Sequence, residues 1–305
     1  MNGSSRARTS CGAVLALSLG TALVAGACGG ASDDTTLQVV ATTSVLGDVV
    51  ENVVGPDATV EVLVPLGSDP HDYQASAQQV AALQQADLVV ANGLSLEEGL
   101  SDVLASVASD GANLLEIAPL VDPIPFGDGT TDDPHVWLDP VRMADAADLI
   151  AAELSTLSAD DAWQDRSDAY RAELLALDAE ISASVAALSE EDRVLVTNHD
   201  ALEYFAVRYG FEVAGTVIPS GTTLAEPSSA ELAALVEEID RLGVRAIFAE
   251  TTEPTTLAEA IASEAGEEVQ VVELYTGSLG EAGSGADTLI GMLRTNATLI
   301  VEALQ

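Results

Sequence analysis

Three histidines, His71, His135 and His199, are all that this chain contains, and they stand equally spaced along it. Each lies in a turn-forming setting: Pro70-His71-Asp72-Tyr73, Asp133-Pro134-His135-Val136-Trp137-Leu138-Asp139-Pro140 and Thr197-Asn198-His199-Asp200. Around His135 the two prolines stiffen the backbone, and Trp137 offers a flat apolar wall for a pocket. An imidazole presented with so little freedom suits metal ligation. A single histidine is more often an ordinary core or surface residue. Three out of three at the ends of apolar runs or in loops is the pattern expected when they hold one ion. Neutral imidazoles suit zinc, whereas harder oxygen donors suit manganese. Copper, nickel or cobalt would also bind such a set in vitro, so affinity alone does not name the physiological ion.

Three histidines with an open fourth position also serve catalytic zinc, which makes a zinc-dependent hydrolase the competing reading from another class. Such an enzyme needs a placed general base. No His-Glu-x-x-His segment occurs, and Asp72 and Asp200 read more simply as loop acids. A binding protein, not an enzyme, is expected.

The elements that must position these side chains are legible from Leu37 onward, where short β-like runs alternate with helical patterns, the signature of a parallel sheet covered by helices. Strands are expected at Leu37 to Ala41, Val60 to Val64, Leu88 to Ala91 and Leu114 to Ile117, then at Val194 to Thr197, Glu212 to Val217, Ala246 to Ala249 and Val269 to Leu274. Helices are expected at Val45 to Val54, Ser76 to Gln85, Leu96 to Val107, Ala201 to Tyr209, Ser229 to Leu242, Thr255 to Glu264 and Ala286 to Ala303. Ser76 with Gln79 and Ser228 with Glu231 are capping-box pairs, and Pro254 suits a helix first turn. Between the two halves Trp163, Tyr170, Leu174, Leu177, Ile181, Val185 and Leu188 keep a helical period without Gly or Pro. The fold class is therefore α/β: two βα lobes, each with a mostly parallel four-stranded sheet, joined by a rigid helix from Asp160 to Leu188, about 43 Å long at 1.5 Å per residue. In such sheets ligands collect at the carboxyl ends of strands, where His71 and His199 fall from opposite lobes.

The first residues read as an export signal: Arg6 and Arg8, an apolar run from Val14 to Val24 that is shorter than a membrane span, then Ala25-Gly26-Ala27-Cys28. The box before Cys28 resembles a lipoprotein cleavage site, with lipid on Cys28. The expected organisation is a signal peptide at 1–27, a polar tether at 28–36, lobes at 37–158 and 191–305, and the linking helix at 159–190. With Cys11 lost in the signal, the mature chain has one thiol and no internal disulfide. At 305 residues and 48 % hydrophobic it has ample core for two lobes. Fifty acidic residues against ten basic ones give a net charge of −40, a field that repels nucleic acid and attracts cations. Every basic residue is arginine, so a GC-rich genome or a salt-adapted proteome explains the balance equally well.

The segments Pro70-His71-Asp72-Tyr73, Asp87-Leu88-Val89-Val90-Ala91-Asn92-Gly93, Asp133 to Pro140, Thr197-Asn198-His199-Asp200 with Tyr204-Phe205, and Glu226-Pro227-Ser228 resemble the lipoproteins that feed zinc and manganese ABC transporters, a family that includes surface adhesins. The resemblance runs from about Leu37 to Gln305. It implies two lobes on a rigid helix, an ion held between them by His71, His135 and His199, a membrane permease as partner, and a monomer lipid-anchored to the outer face of the cytoplasmic membrane. Manganese members place a carboxylate where His199 stands, so the resemblance also favours zinc over manganese. It does not separate transport from attachment. Two departures stand out. Where the family has an aspartate as fourth ligand, Thr276-Gly277-Ser278-Leu279 has glycine; Glu250, then Asp69 or a water, are the candidates to replace it. The loop before His135, Gly127 to Asp133, is short and acidic and lacks the histidine-rich insert of many zinc-binding relatives.

Overall fold

A computed structural model describes residues 36–305 apart from 128, 159–161 and 267. The expected export signal, Cys28 and all of the expected tether but Thr36 lie outside these residues. Two sheets, each of four parallel strands, form the frame. In the first, β1 (Leu37–Ala41) is followed by α1 (Ser44–Val54), β2 (Ala58–Val62), α2 (Ala77–Gln85), β3 (Leu88–Ala91), α3 (Ser101–Ser109) and β4 (Leu114–Glu116). Its strand order is β2-β1-β3-β4. A small antiparallel hairpin, β5 (Pro125–Phe126) and β6 (Thr131–Asp132), precedes α4 (Pro140–Leu157) and α5 (Ala162–Val185). The second sheet repeats the scheme with β7 (Val194–Thr197), α6 (Glu203–Tyr209), β8 (Glu212–Thr216), α7 (Ser229–Leu242), β9 (Ala246–Glu250), α8 (Thr256–Ala265) and β10 (Gln270–Leu274), in the order β10-β9-β7-β8, and α9 (Leu289–Leu304) closes the chain.

The reason for parallel pairing is visible in composition. β3 and β9 are buried along their whole length as Leu-Val-Val-Ala and Ala-Ile-Phe-Ala-Glu, the continuous apolar run that a strand covered on both faces requires. Both capping boxes form: Ser76 and Gln79 start α2, and Ser228 and Glu231 start α7, each side chain bonding the other's backbone N–H. In each sheet the chain reverses direction of travel beside the first strand, between β1 and β3 and between β7 and β9. These are the switch points where an α/β sheet opens a crevice.

One face of each sheet shares a single apolar core. Val39, Ala41 and Val90 from the first sheet and Ala246, Phe248 and Leu274 from the second belong to one cluster, joined through Met143 and Ile150 of α4, Leu174, Leu177 and Ile181 of α5, and Leu293 and Ile300 of α9. Burying each leucine- or isoleucine-sized side chain stabilises by about 1.5 to 3 kcal/mol, so the lobes are held by core packing as well as by the rod. The outer faces carry separate clusters under α2 and α3 and under α7 and α8.

The rod is shorter than its periodicity predicts. The helix ends at Val185, ahead of a turn at Ala186 and Ala187, and its 24 residues give about 36 Å; the expected start at Asp160 lies outside the described residues. It runs antiparallel to α4, with Ser167 bonded to Asp148 and Arg171 to Asp145 and Asp148. Arg166 grips Val53 O and Asp57 of the first lobe, while Asp178 receives Arg208, and Glu180 receives Arg294, both of the second. Pro254 stands before the helix it was expected to open, since α8 begins at Thr256. The third helix also starts late. Leu94 and Ser95 take left-handed backbone angles because the Glu97 carboxylate gathers the N–H groups of Asn92 and Gly93 and the Thr42 hydroxyl.

Candidate metal centre

The two loops carrying His71 and His135 use the same local device. Both read Asp-Pro-His, and in both the aspartate Oδ1 accepts the histidine's backbone N–H at 2.9 Å, Asp69 for His71 and Asp133 for His135. Such a side-chain turn fixes the loop without secondary structure. The third loop follows β7, where Thr197 Oγ1 donates to His199 O at 2.8 Å and Asn198 N donates to Phe248 O at 2.9 Å. Thus His199 leaves the second sheet at its switch point, and β9 ends beside it in Glu250.

The three imidazoles meet. Their ring centroids lie 5.0 to 5.5 Å apart, one nitrogen from each can be chosen so that all three lie within 4.8 Å of one another, and each residue is at most 2 % exposed. His135 Nε2 and His199 Nε2 are 3.1 Å apart. Their other nitrogens are backed by carboxylates: Asp133 Oδ1 lies 2.7 Å from His135 Nδ1, and Glu250 Oε1 bonds His199 Nδ1. A carboxylate behind a histidine sets its tautomer so that Nε2 offers its lone pair. Trp137 walls the site, its ring 5.2 Å from that of His135, and its Nε1–H donates to Thr276 O at 2.7 Å.

The electrostatics follow from burial and these pairs. Burial, helped by the neighbouring His135, pushes His71 down to about 3, and burial holds His135 well below its ordinary 6.5. For His199 burial acts in the same direction but is outweighed by the Glu250 carboxylate, so this ring is raised, and Glu250 is lowered despite burial by the same pairing. Burial raises Asp133 to about 7 against the backbone bond from His135. At the rim, burial raises Asp200 to about 6 and Glu253 to about 7.

Glu250 and Asp69, expected as a fourth ligand or as groups behind the ligands, each have both oxygens hydrogen-bonded. Glu250 divides its two oxygens between His199 Nδ1 and Thr276 Oγ1, the latter at 2.5 Å, and Asp69 divides its own between His71 N and Thr223 Oγ1. Gly277 lies against the His71 loop: a Cβ there would approach Pro70 Cδ at 3.1 Å and Thr252 Oγ1 at 3.2 Å, and the residue is not among those with positive φ. Its neighbour Ser278 accepts Gly67 N–H at 2.9 Å and faces Ser44 Oγ at 3.3 Å, tying the last loop to the first lobe. Asp133, Thr276 and Asn92, whose amide donates to Pro134 O at 2.9 Å, stood within quoted motifs but were given no role at the site from sequence; the repeated Asp-Pro-His was the available signal for the first of them.

Two doubly wound lobes whose switch-point loops bring polar groups to one enclosed point define a two-lobed binding protein with its site between the lobes. The family model of the periplasmic zinc-uptake complex component A matches residues 39–303, and the chain belongs to that family of metal ABC transporter solute-binding proteins. It is 31 % identical to the manganese-binding lipoprotein MntA of Halalkalibacterium halodurans, over 93 % of this chain and 95 % of that one. It is 33 % identical to the zinc-binding protein TroA of Treponema pallidum, over 87 % and 88 %. The solved structure of the Treponema pallidum periplasmic zinc-binding protein TroA superposes with a TM-score of 0.83 at 31 % identity, covering 88 % of this chain and 99 % of that one.

Proposed function

We propose that this protein captures a zinc ion outside the cytoplasm through the Nε2 atoms of His71, His135 and His199 and delivers it to the membrane permease of an ABC transporter. The observation that carries the reading is the convergence of three buried imidazoles whose ligand nitrogens lie within 4.8 Å of one another. Such a cluster has the reach of one ion, with Zn–N bonds of about 2.0 to 2.1 Å. Zinc is preferred over manganese because the donors are nitrogens, and the nearby carboxylates of Glu250 and Asp69 are engaged elsewhere. The manganese reading draws on the name of MntA. The fourth position is assigned to water.

The protein does no chemistry on its cargo in this reading; of the candidate bases for the hydrolase alternative, Asp72 is on the surface, and the buried Asp133 and Glu250 are bonded to imidazoles. No helix among the described residues is long and apolar enough to cross a membrane, and the proposed attachment is by lipid on Cys28 through the tether at 28–36. Metal content measured on protein purified without chelator or affinity tag tests the reading: one zinc per chain is expected, and stoichiometric manganese, or no transition metal after incubation with zinc, refutes it.

A further inference from the structure

Two of the three imidazoles have a carboxylate in contact with the nitrogen opposite Nε2; the third does not. His71 Nδ1 is buried and has no hydrogen-bond partner, an arrangement that is unfavourable for a buried polar atom. The carboxylate nearest to it is Glu98, with Oε1 at 3.9 Å and a side chain 40 % exposed. That separation is beyond a hydrogen bond. Yet the backbone holds Glu98 beside His71 firmly. Gly99 N donates to His71 O at 3.0 Å, and the two segments approach so closely that a Cβ at position 99 would sit 2.3 Å from Tyr73 O and 2.9 Å from Asp72 O. Only glycine fits there. The segment carrying Glu98 is therefore pinned to the His71 loop, and the remaining freedom lies in the glutamate side chain.

We propose that Glu98 is the positioning residue for His71: its carboxylate swings through the remaining ångström to accept the Nδ1–H when an ion occupies Nε2. The inference rests on the metal-binding reading of the three histidines. A cation on Nε2 withdraws electron density from the ring and strengthens Nδ1–H as a donor, so the contact is worth more with the ion than without it. Neither Asp133 nor Glu250 has this latitude, since both are fully enclosed and already bonded. Glu98 thus differs from its two counterparts in reaching solvent, and it links occupancy of the buried ion to the position of a surface carboxylate.

The test compares the full-length protein with Glu98→Ala, Glu98→Gln and a His71→Ala control, using zinc alone and a competing chelator. Zinc affinity should fall about 10- to 100-fold in Glu98→Ala, the loss typical when a backing group is removed, and Glu98→Gln, whose amide oxygen still accepts, should recover most of it. Melting of the metal-free protein should stay unchanged, because no bond to Glu98 is lost there. In ring-nitrogen NMR of the zinc-loaded parent, His71 should show a hydrogen-bonded Nδ1–H that Glu98→Ala lacks. Affinity within twofold of the parent, together with an unaltered Nδ1–H signal, would overturn the proposal while leaving the site itself intact. Failure of the parent to bind zinc, matched by His71→Ala, would instead remove the reading on which it stands.

Discussion

Acidification from about pH 8 to about pH 6 should weaken zinc binding roughly 10- to 1,000-fold, because the ion displaces protons whose positions the site defines. His135 Nε2 and His199 Nε2 face each other at 3.1 Å, a separation at which a proton shared between them is favoured over two facing lone pairs. Glu250 raises the proton affinity of His199, while burial lowers that of His71 and His135, so His199 is the ring expected to carry the proton. Under the proposed function, zinc takes that proton's place. Asp133, raised to about 7 by burial, loses a second proton when the ion arrives, since the new charge favours a carboxylate behind His135. A ligand must be deprotonated to bind. Affinity is therefore flat above the raised value of His199 and falls as pH drops through it, by about tenfold per unit for one proton and up to a hundredfold once Asp133 joins near pH 7. Calorimetry in buffers of different ionisation enthalpy counts the protons directly. One to two released per zinc at about pH 6, and fewer at about pH 8, are expected. Affinity constant within twofold across that interval, or no proton release, would refute this account of the site.

Removal of a single imidazole should be severe, because a three-donor site that loses one leaves an under-coordinated cation; His135→Ala with parental zinc affinity in a competition titration would contradict the ligand set. Cys28→Ser should leave the precursor unprocessed or release the protein from the membrane, the anchor being worth about 0.8 kcal/mol per buried methylene; unchanged acylation and fractionation would show that another residue carries the lipid. Gly277→Asp should bind manganese more tightly relative to zinc by adding an anionic oxygen. The contacts at 3.1 and 3.2 Å to Pro70 and Thr252 make that variant less stable by about 1 to 3 kcal/mol, and a thermal-shift series with both metals reads both effects. An unchanged metal ratio in a folded variant would mean that position 277 does not face the ion.

Sequence revealed the parts of this molecule that depend on pattern. Periodicity and capping gave β1, β3, β7 and α7 to the residue, because buried parallel strands and capped helices write their boundaries in local composition. Scarcity made the three histidines visible. The partner of each imidazole was harder to read, since it depends on which side of a ring a carboxylate reaches. Glu250 was expected as a fourth ligand or as a group behind the ligands, and sequence does not say which; β9 brings its carboxylate to the far nitrogen of His199. The delayed start of α3 was illegible for a similar reason: the left-handed angles of Leu94 and Ser95 are imposed by Glu97 reaching back to Asn92 and Thr42 across the sheet, and nothing in the residues themselves favours them.

The shared core between the lobes has a consequence for traffic at the membrane. Halves fused through Leu174, Leu177 and Ile181 should shift little against each other when the ion binds, leaving side-chain movements such as that proposed for Glu98 as the main mark of loading. Under the proposed function, empty and filled molecules should then present nearly the same profile to a permease, and the empty ones should compete for its docking face. Uptake at scarce metal is governed by the ratio of filled to empty carrier, not by the number of carriers, so adding metal-free protein to a transporter working at fixed metal should slow import, and overproduction of the binding protein alone should bring no gain.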